Sequence, residues 1–293
     1  MSAKEPIFYF NGKYLPRSKV KIDVFDDVVE ASYMVFDATV ARNGYVFKLD
    51  RCIDRLWRSM QAAMMDIQMI KSQLKDIILE TVRRNGFRNA TIQVIVTGGV
   101  HVWGEKAGEE RPTVIVIVWP YLSVATTEQI ERGLKARISS IQAIPHQTLD
   151  PKIKCGMRLH WIIALKQAQA AGADKVILMD MDGYVTDEYS SNIFIVKDGK
   201  LYTSEEEVLM GHTRETVLEI ALREGIAASE RRLTPYDLYN ADEAFFTSTG
   251  GGILPFVEVD GRIIGDGRPG SLTKRLRQLY FEMLERGEHG VRF

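Results

Sequence analysis

Three segments that follow Lys154 in one order constrain this chain more than any bulk property. The first is the run Asp180-Met181-Asp182-Gly183-Tyr184-Val185-Thr186-Asp187-Glu188-Tyr189-Ser190-Ser191-Asn192-Ile193-Phe194. Gly211-His212-Thr213-Arg214 comes next. Ala241-Asp242-Glu243-Ala244-Phe245-Phe246 then runs into Thr247-Ser248-Thr249-Gly250-Gly251-Gly252-Ile253-Leu254-Pro255. His212-Thr213 opens an amphipathic helical pattern, Arg214 to Arg223, closed by Gly225. A helix start of that kind offers N–H groups and a favourable dipole to an anion. Ala244–Thr249 reads as a strand ending in glycines, which let successive amides face an anion. Lys154 itself sits in Asp150-Pro151-Lys152-Ile153-Lys154-Cys155-Gly156, just ahead of an apolar helical pattern over Leu159 to Ala170. A lysine at the mouth of a buried helix can be desolvated enough to act as a neutral amine nucleophile.

The remaining pattern is a mixture of strands and helices. Ile7–Phe10 is β-prone and is followed by the turn Asn11-Gly12, and a second Asn-Gly turn, Asn43-Gly44, separates Tyr33–Ala41 from Tyr45–Leu49. Arg51 to Met65 and Lys71 to Arg84 carry apolar residues at spacings of three and four, which predicts two helices. Thr91–Val96 and the apolar run Thr113–Val118 predict strands, with a glycine- and charge-rich loop, Gly98 to Arg111, between them. Tyr121 to Arg132 lacks a sustained period and reads as a connector. Beyond it Lys175–Met179 and Ile193–Val196 predict strands, and Leu272 to Arg286 a terminal helix. The expected class is α+β (α/β): an N-terminal domain over 1–120, a linker over 121–133 and a C-terminal domain over 134–293.

Composition narrows the function classes. With 38 basic and 39 acidic residues the net charge is −1, so no general basic field recruits nucleic acid. At 45% hydrophobic and 26% charged residues the chain is of globular type. No apolar run approaches the ~20 residues of a membrane helix. Met1 to Pro6 lacks the basic-then-apolar pattern of a signal peptide. Two cysteines, Cys52 and Cys155, suit a reducing compartment and no disulfide framework. The expected location is cytoplasmic, and no metal is expected.

Taken in order, these segments resemble the class IV aminotransferases, the fold-type IV pyridoxal-phosphate (PLP) enzymes. The resemblance extends from roughly Phe8 to Leu284 and is densest after Lys152. It implies a smaller N-terminal α/β domain, a larger C-terminal domain, a cofactor cleft between them and a homodimer. It also implies PLP as cofactor, with an amine or amino acid and a keto acid as substrates. By register, Lys154 corresponds to the family's Schiff-base lysine; Lys152 is the local competitor. Asp187 stands where the family has a glutamate paired to the pyridine nitrogen, an anion that keeps the ring able to accept electrons. Glu188 is the alternative if the chain slips by one residue. His212, Thr213, Thr249 and Gly250 fall at the phosphate-binding positions. Arg55 matches the arginine that pairs with the phosphate, where a bidentate guanidinium is the advantage over lysine. The family usually has histidine where Cys52 stands.

The substrate side departs from the subfamilies. D-amino-acid transaminases resemble Ile95-Val96-Thr97-Gly98-Gly99 but place an arginine at the position of Gly98. Branched-chain enzymes usually have a Gly-Asp-Gly-Val-Phe-Glu segment; here Ala31-Ser32-Tyr33-Met34-Val35-Phe36-Asp37 replaces it, with Asp37 in place of the glutamate. The tail Gly251-Gly252-Ile253-Leu254-Pro255 is closest to that of (R)-amine transaminases. Arg158, His101 and Trp103 are candidate pocket residues, though core or surface duty is the commoner use of each type. The reading is therefore an aminotransferase with (R)-amine or branched-chain-like specificity. A lyase of the aminodeoxychorismate type, a D-amino-acid transaminase and a PLP-binding relative without turnover are the alternatives.

Overall fold

Both Asn-Gly pairs make two-residue hairpins. Asn11 and Gly12 adopt φ of 41° and 85°, and Asn43 and Gly44 adopt 47° and 89°. Positive φ at both central residues is the type I′ requirement, and it sets the registers Phe10↔Lys13 and Arg42↔Tyr45. The computed structural model describes residues 5–102 and 111–293, so Trp103 and most of the expected 98–111 loop lie outside the described residues. The chain divides into two compact units. One holds the described residues up to Leu122 together with Ile153–Met157 and Leu284–Phe293, and the other holds Ser123–Lys152 and Arg158–Met283.

The first unit contains, in chain order, β1 (Ile7–Phe10), β2 (Lys13–Pro16), α1 (Asp27–Ala31), β3 (Met34–Arg42) and β4 (Tyr45–Phe47). It continues with α2 (Leu49–Ala62), α3 (Lys71–Asn85), β5 (Ala90–Thr97) and β6 (Val114–Pro120). The second unit begins with α4 (Thr127–Arg132), β7 (Leu134–Ile138), α5 (Leu159–Ala170), β8 (Lys175–Met179) and β9 (Val185–Glu188). Then come β10 (Asn192–Lys197), β11 (Lys200–Thr203), α6 (His212–Arg223), β12 (Ala228–Glu230) and α7 (Pro235–Tyr239). It ends with β13 (Glu243–Ser248), β14 (Gly252–Val259), β15 (Arg262–Ile263) and α8 (Ser271–Glu285), after which β16 (Gly290–Arg292) returns to the first unit.

The first sheet is antiparallel throughout, in the order β16-β4-β3-β5-β6-β1-β2. The apolar stripes of α2 (Ile53, Leu56, Met60) and α3 (Leu74, Ile78, Val82) bury with Val94, Val96, Val116 and Val118 of its central strands. Each such side chain contributes roughly 1.5–3 kcal/mol when fully buried. The second sheet is mixed, in the order β12-β11-β10-β13-β14-β7-β8-β9, with β15 beside β14. Its core is aromatic across neighbouring strands: Phe194 stacks on Phe245 at 5.1 Å and Phe246 on Phe256 at 4.3 Å. Among the described residues no helix is long and apolar enough to cross a membrane.

Two local expectations are corrected. The aperiodic stretch Tyr121–Arg132 contains the short helix α4, held by a capping box in which Thr126 and Gln129 satisfy each other's backbone N–H. A cap lets a helix too short for a visible period form. The apolar helix α5 is also not a buried one. Ala164 and Ala168 face inward, whereas Leu159, Ile162 and Ile163 are exposed.

Candidate active site

The predicted site residues fall in both units: Lys154 and Arg55 in the first, and Asp187, His212, Thr213, Thr249 and Gly250 in the second. In the first unit Lys154 lies on an extended segment laid along β3, and not at a helix mouth. Phe36 N donates to Lys154 O at 2.9 Å, Gly156 N to Met34 O at 3.1 Å, and Lys154 N to Ser59 Oγ at 3.1 Å. Gly156 is needed for this approach, because a Cβ there would come within 2.6 Å of Met34 Cγ. The half-buried lysine places Nζ 4.9 Å from the centroid of the Phe36 ring. Its competitor Lys152 is solvated: 64% of its side chain is exposed and its ion pair with Asp150 spans 3.8 Å. Bonds from β3 and α2 to the backbone of Lys154 itself give its amine a defined origin.

Arg55 is buried on α2 and is gripped by Asp37 of β3. Nε donates to Asp37 Oδ2 at 2.8 Å and Nη2 to Oδ1 at 2.7 Å, a bidentate fork with both partners removed from water. Cys52, one helical turn earlier, donates its thiol to the same carboxylate. Burial first, and then the Asp37 charge, push that thiol well above its ordinary range, so it stays a neutral donor. Removing one partner of a buried pair leaves an uncompensated charge, which costs about 3–5 kcal/mol. Asp37→Asn should therefore lower the free energy of unfolding in urea by about that much. A loss below about 1 kcal/mol would mean that Arg55 does not depend on Asp37.

In the second unit the alternation of β9 sends Asp187 and Glu188 to opposite faces. Asp187 Oδ1 accepts from Asn192 Nδ2 at 2.8 Å and Oδ2 from Leu209 N at 2.8 Å. Asn192 Nδ2 also donates to Leu209 O at 2.7 Å, so one amide ties the acid to the loop that leads into α6. Gly211 permits this, since a Cβ there would meet Asn192 Oδ1 at 2.1 Å. Glu188 is buried and committed elsewhere. Lys175 Nζ lies 3.2 Å from Oε1, while Ser190 N and Oγ donate to Oε2 at 3.0 and 3.3 Å. These bonds close the tight turn between β9 and β10.

Gly211 is the N-cap of α6 and contributes no side-chain acceptor to the first turn, where His212 and Thr213 stand. Thr213 Oγ1 lies 3.5 Å from Tyr280 OH. Arg214, next in the motif, is a strut: buried, it donates to Ser204 O at 3.0 Å and pairs with Glu230. Between β13 and β14 the glycine turn is closed by Gly251 N donating to Ser248 Oγ at 3.1 Å. Thr247 is paired directly with Asn192 across the strands and so shares its face of the sheet. Its Oγ1 is buried without a hydrogen-bond partner among the described residues. A polar ligand on that face would complete it.

Two of the other candidates lie among the described residues. Arg158 is the N-cap residue of α5 and donates to Tyr189 O at 3.0 Å. His101 donates its backbone N–H to Phe25 O at 3.1 Å. Asn192, Leu209 and Thr247 had no role assigned from the sequence. Asn192 and Thr247 stand within the ordered segments that also carry Asp187 and Thr249, which was the available signal.

Comparison with known proteins identifies the family. The sequence profile of the family described as amino-transferase class IV matches residues 34–259. A Methanocaldococcus jannaschii protein provisionally named a branched-chain-amino-acid aminotransferase is 37% identical over 277 residues, 93% of this chain and 94% of that one. The branched-chain-amino-acid aminotransferase of Pseudomonas aeruginosa is 31% identical over 290 residues, 97% and 94% of the two chains. Among solved structures, the branched-chain amino acid aminotransferase of Escherichia coli superposes with a TM-score of 0.92 at 27% identity. That match covers 96% of this chain and 95% of the other. A second branched-chain amino acid aminotransferase, from T.th. and solved with pyridoxamine 5′-phosphate, gives a TM-score of 0.92 at 30% identity. It covers 98% of this chain and 97% of its own. With the profile spanning most of its length and the fold shared from end to end, this chain belongs to the class IV aminotransferases.

Proposed function

We propose that this aminotransferase takes branched-chain L-amino acids as its donors and a 2-keto acid as its acceptor. As a class IV enzyme it works with pyridoxal 5′-phosphate and moves an amino group between amino and keto acids. When bound, the cofactor supplies the electron sink that makes the donor's α-proton removable. The observation that supports placing the cofactor here is the seat of Asp187, a carboxylate fixed by Asn192 and Leu209 on the face that also carries the Thr247 hydroxyl, unpartnered among the described residues. Asp187 would hold the proton on the cofactor's ring nitrogen. The first turn of α6 at His212 and Thr213, the Thr249–Gly250 amides and the Arg55 guanidinium would hold its phosphate. Lys154 Nζ would be the covalent anchor and would then carry the proton to and from the donor's α-carbon. Acid–base work of that kind is worth roughly 10²–10⁴ in rate.

Apolar donors are favoured by what surrounds Lys154 and Gly98. The Phe36 ring offers apolar surface beside the reacting amine. Gly98 cannot be traded for the arginine of D-amino-acid transaminases, because a Cβ there would lie 2.3 Å from Tyr33 Cδ1. Tyr33 is itself pinned, its OH donating to Ala63 O at 2.6 Å. A D-amino acid's carboxylate would thus lose a paired cation at that position and keep its desolvation cost. The deciding measurement is kcat/KM for L-leucine, L-isoleucine, L-valine, D-alanine and (R)-1-phenylethylamine, with 2-oxoglutarate as acceptor. The branched L-amino acids should lead by at least about tenfold, roughly 1.4 kcal/mol in transition-state binding. D-alanine or the amine leading by that margin would overturn the donor assignment. We read the working form as a cytoplasmic homodimer, as the family resemblance implies; sedimentation of the loaded enzyme at twice the chain mass is the expected result.

A further inference from the structure

Three successive glycines, Gly250 to Gly252, complete the turn after β13 and open β14. Glycine is the residue with most conformational freedom to lose, so such a turn does not hold a shape by itself. The ordering cost falls on the ligand unless the protein has already met it. Here α8 meets it. Arg277 Nη1 donates to Gly251 O at 3.2 Å and also to Ile253 O, which places one guanidinium nitrogen between two buried residues' carbonyls. The Arg277 side chain is itself held, its Cζ lying 4.7 Å from the centroid of the Phe281 ring. Gly252 adopts φ +65°, and a Cβ there would stand 3.0 Å from both Tyr280 Cε1 and Phe281 Cζ. The turn is therefore pressed against α8 as well as bonded to it. On the same helix, Tyr280 OH stands 3.5 Å from Thr213 Oγ1 at the start of α6.

We propose that Arg277 is a positioning residue for the phosphate subsite, fixing the glycine turn from behind and thereby setting the affinity for the cofactor. The inference rests on the reading that the Thr249–Gly250 amides hold the phosphate. In a trans peptide the C=O and N–H point in opposite directions. Anchoring Gly251 C=O on α8 therefore turns the Gly252 N–H away from α8. The other two bonds of the turn, Ser248 Oγ with Gly251 N and Val124 N with Gly250 O at 3.4 Å, both hold the one preceding peptide, Gly250–Gly251. Arg277 supplies the remaining anchor and, alone among the three, a positive charge. A fixed cation behind an anion-binding turn adds favourable potential to the site.

The test uses Arg277→Met, which removes the donors but keeps packing on Phe281, and Arg277→Lys, which keeps the charge but not the guanidinium. Arg275→Met serves as a control: Arg275 is an exposed residue of the same helix whose partner is Glu224. Amide exchange over residues 249–253 is followed in cofactor-free protein and on adding pyridoxal 5′-phosphate. The cofactor's Kd, the melting temperature and kcat at saturating cofactor are then measured. Arg277→Met should speed exchange in the turn and raise Kd by about tenfold or more. Its kcat at saturation should stay within about threefold of the parent. Arg277→Lys should fall between the two, and Arg275→Met should match the parent. A Kd for Arg277→Met within about twofold of the parent would overturn the proposal. So would a weakening that Arg275→Met shares, or one that follows melting temperature across the variants. If Arg277→Met does not fold, Arg277→Lys decides: an unchanged Kd and unchanged turn exchange overturn the proposal. Failure of the underlying reading is separately visible, because turn amides in the parent protein would then gain no protection from the cofactor.

Discussion

Lys154→Ala is expected to abolish transamination and to leave no borohydride-reducible link between protein and cofactor. Only the neutral amine of a lysine can form that link, and the same amine then moves the proton in the half-reaction. Loss of the proton carrier alone removes roughly 10²–10⁴ in rate, and loss of the covalent anchor adds to it. Lys152→Ala should retain both the link and the activity, since Lys152 is solvated and pairs loosely with Asp150. The measurements are single-turnover absorbance after adding L-leucine, and peptide mass spectrometry after borohydride treatment. A Lys154→Ala protein that still carried the reduced cofactor on a lysine would move the assignment to that lysine.

Asp187→Asn should cripple turnover while leaving the cofactor bound. On the proposed assignment the phosphate contacts govern retention, and the carboxylate serves the ring. A fall in kcat on the order of a hundredfold, about 2.7 kcal/mol in the barrier, is expected. The asparagine oxygen can accept from one of the two donors, Asn192 Nδ2 and Leu209 N, but its NH2 group then opposes the other, which accounts for a further stability loss of about 1–3 kcal/mol. Glu188→Gln should behave in the opposite way. It leaves the proposed ring partner intact but strands the charge of Lys175, of which only 13% of the side chain is exposed. Stability should fall by about 1–3 kcal/mol while kcat changes little. Titrating both variants with cofactor, then following a single half-reaction and urea unfolding, separates the two roles. If Glu188→Gln lost turnover and Asp187→Asn kept it, Glu188 would be the ring partner.

Local signals in the sequence carried the elements whose physics is local. The two Asn-Gly pairs set both hairpins because positive φ costs little at those residues. The spacing of Ile53, Leu56 and Met60, and of Leu74, Ile78 and Val82, marked α2 and α3 because one face of each is buried. The capped helix α4 is too short to show a period, and α7 and strands such as β7, β12 and β16 went unread. Such short strands exist because neighbours pair with them: Gly290–Arg292 is a strand only beside β4, far away in the chain.

The same division runs through the candidate site. Lys154, Asp187, His212, Thr213, Thr249 and Gly250 could be named from the sequence because the segments that contain them follow one another in register. What holds these residues could not be named. The grip of Asp37 on Arg55 and of Arg277 on the Gly251 carbonyl joins residues from different elements, and no short pattern records such a pairing. The exposure of α5 is a related case, since an apolar helix has the same sequence whether it is covered or bare. By itself, then, the sequence determined the elements with local turn, cap and periodic signals, and the order of the chemically competent residues. Only the tertiary structure decided which strand face Asp187 and Glu188 took and which side chains anchor the site, because those outcomes depend on distant partners meeting after the chain has folded.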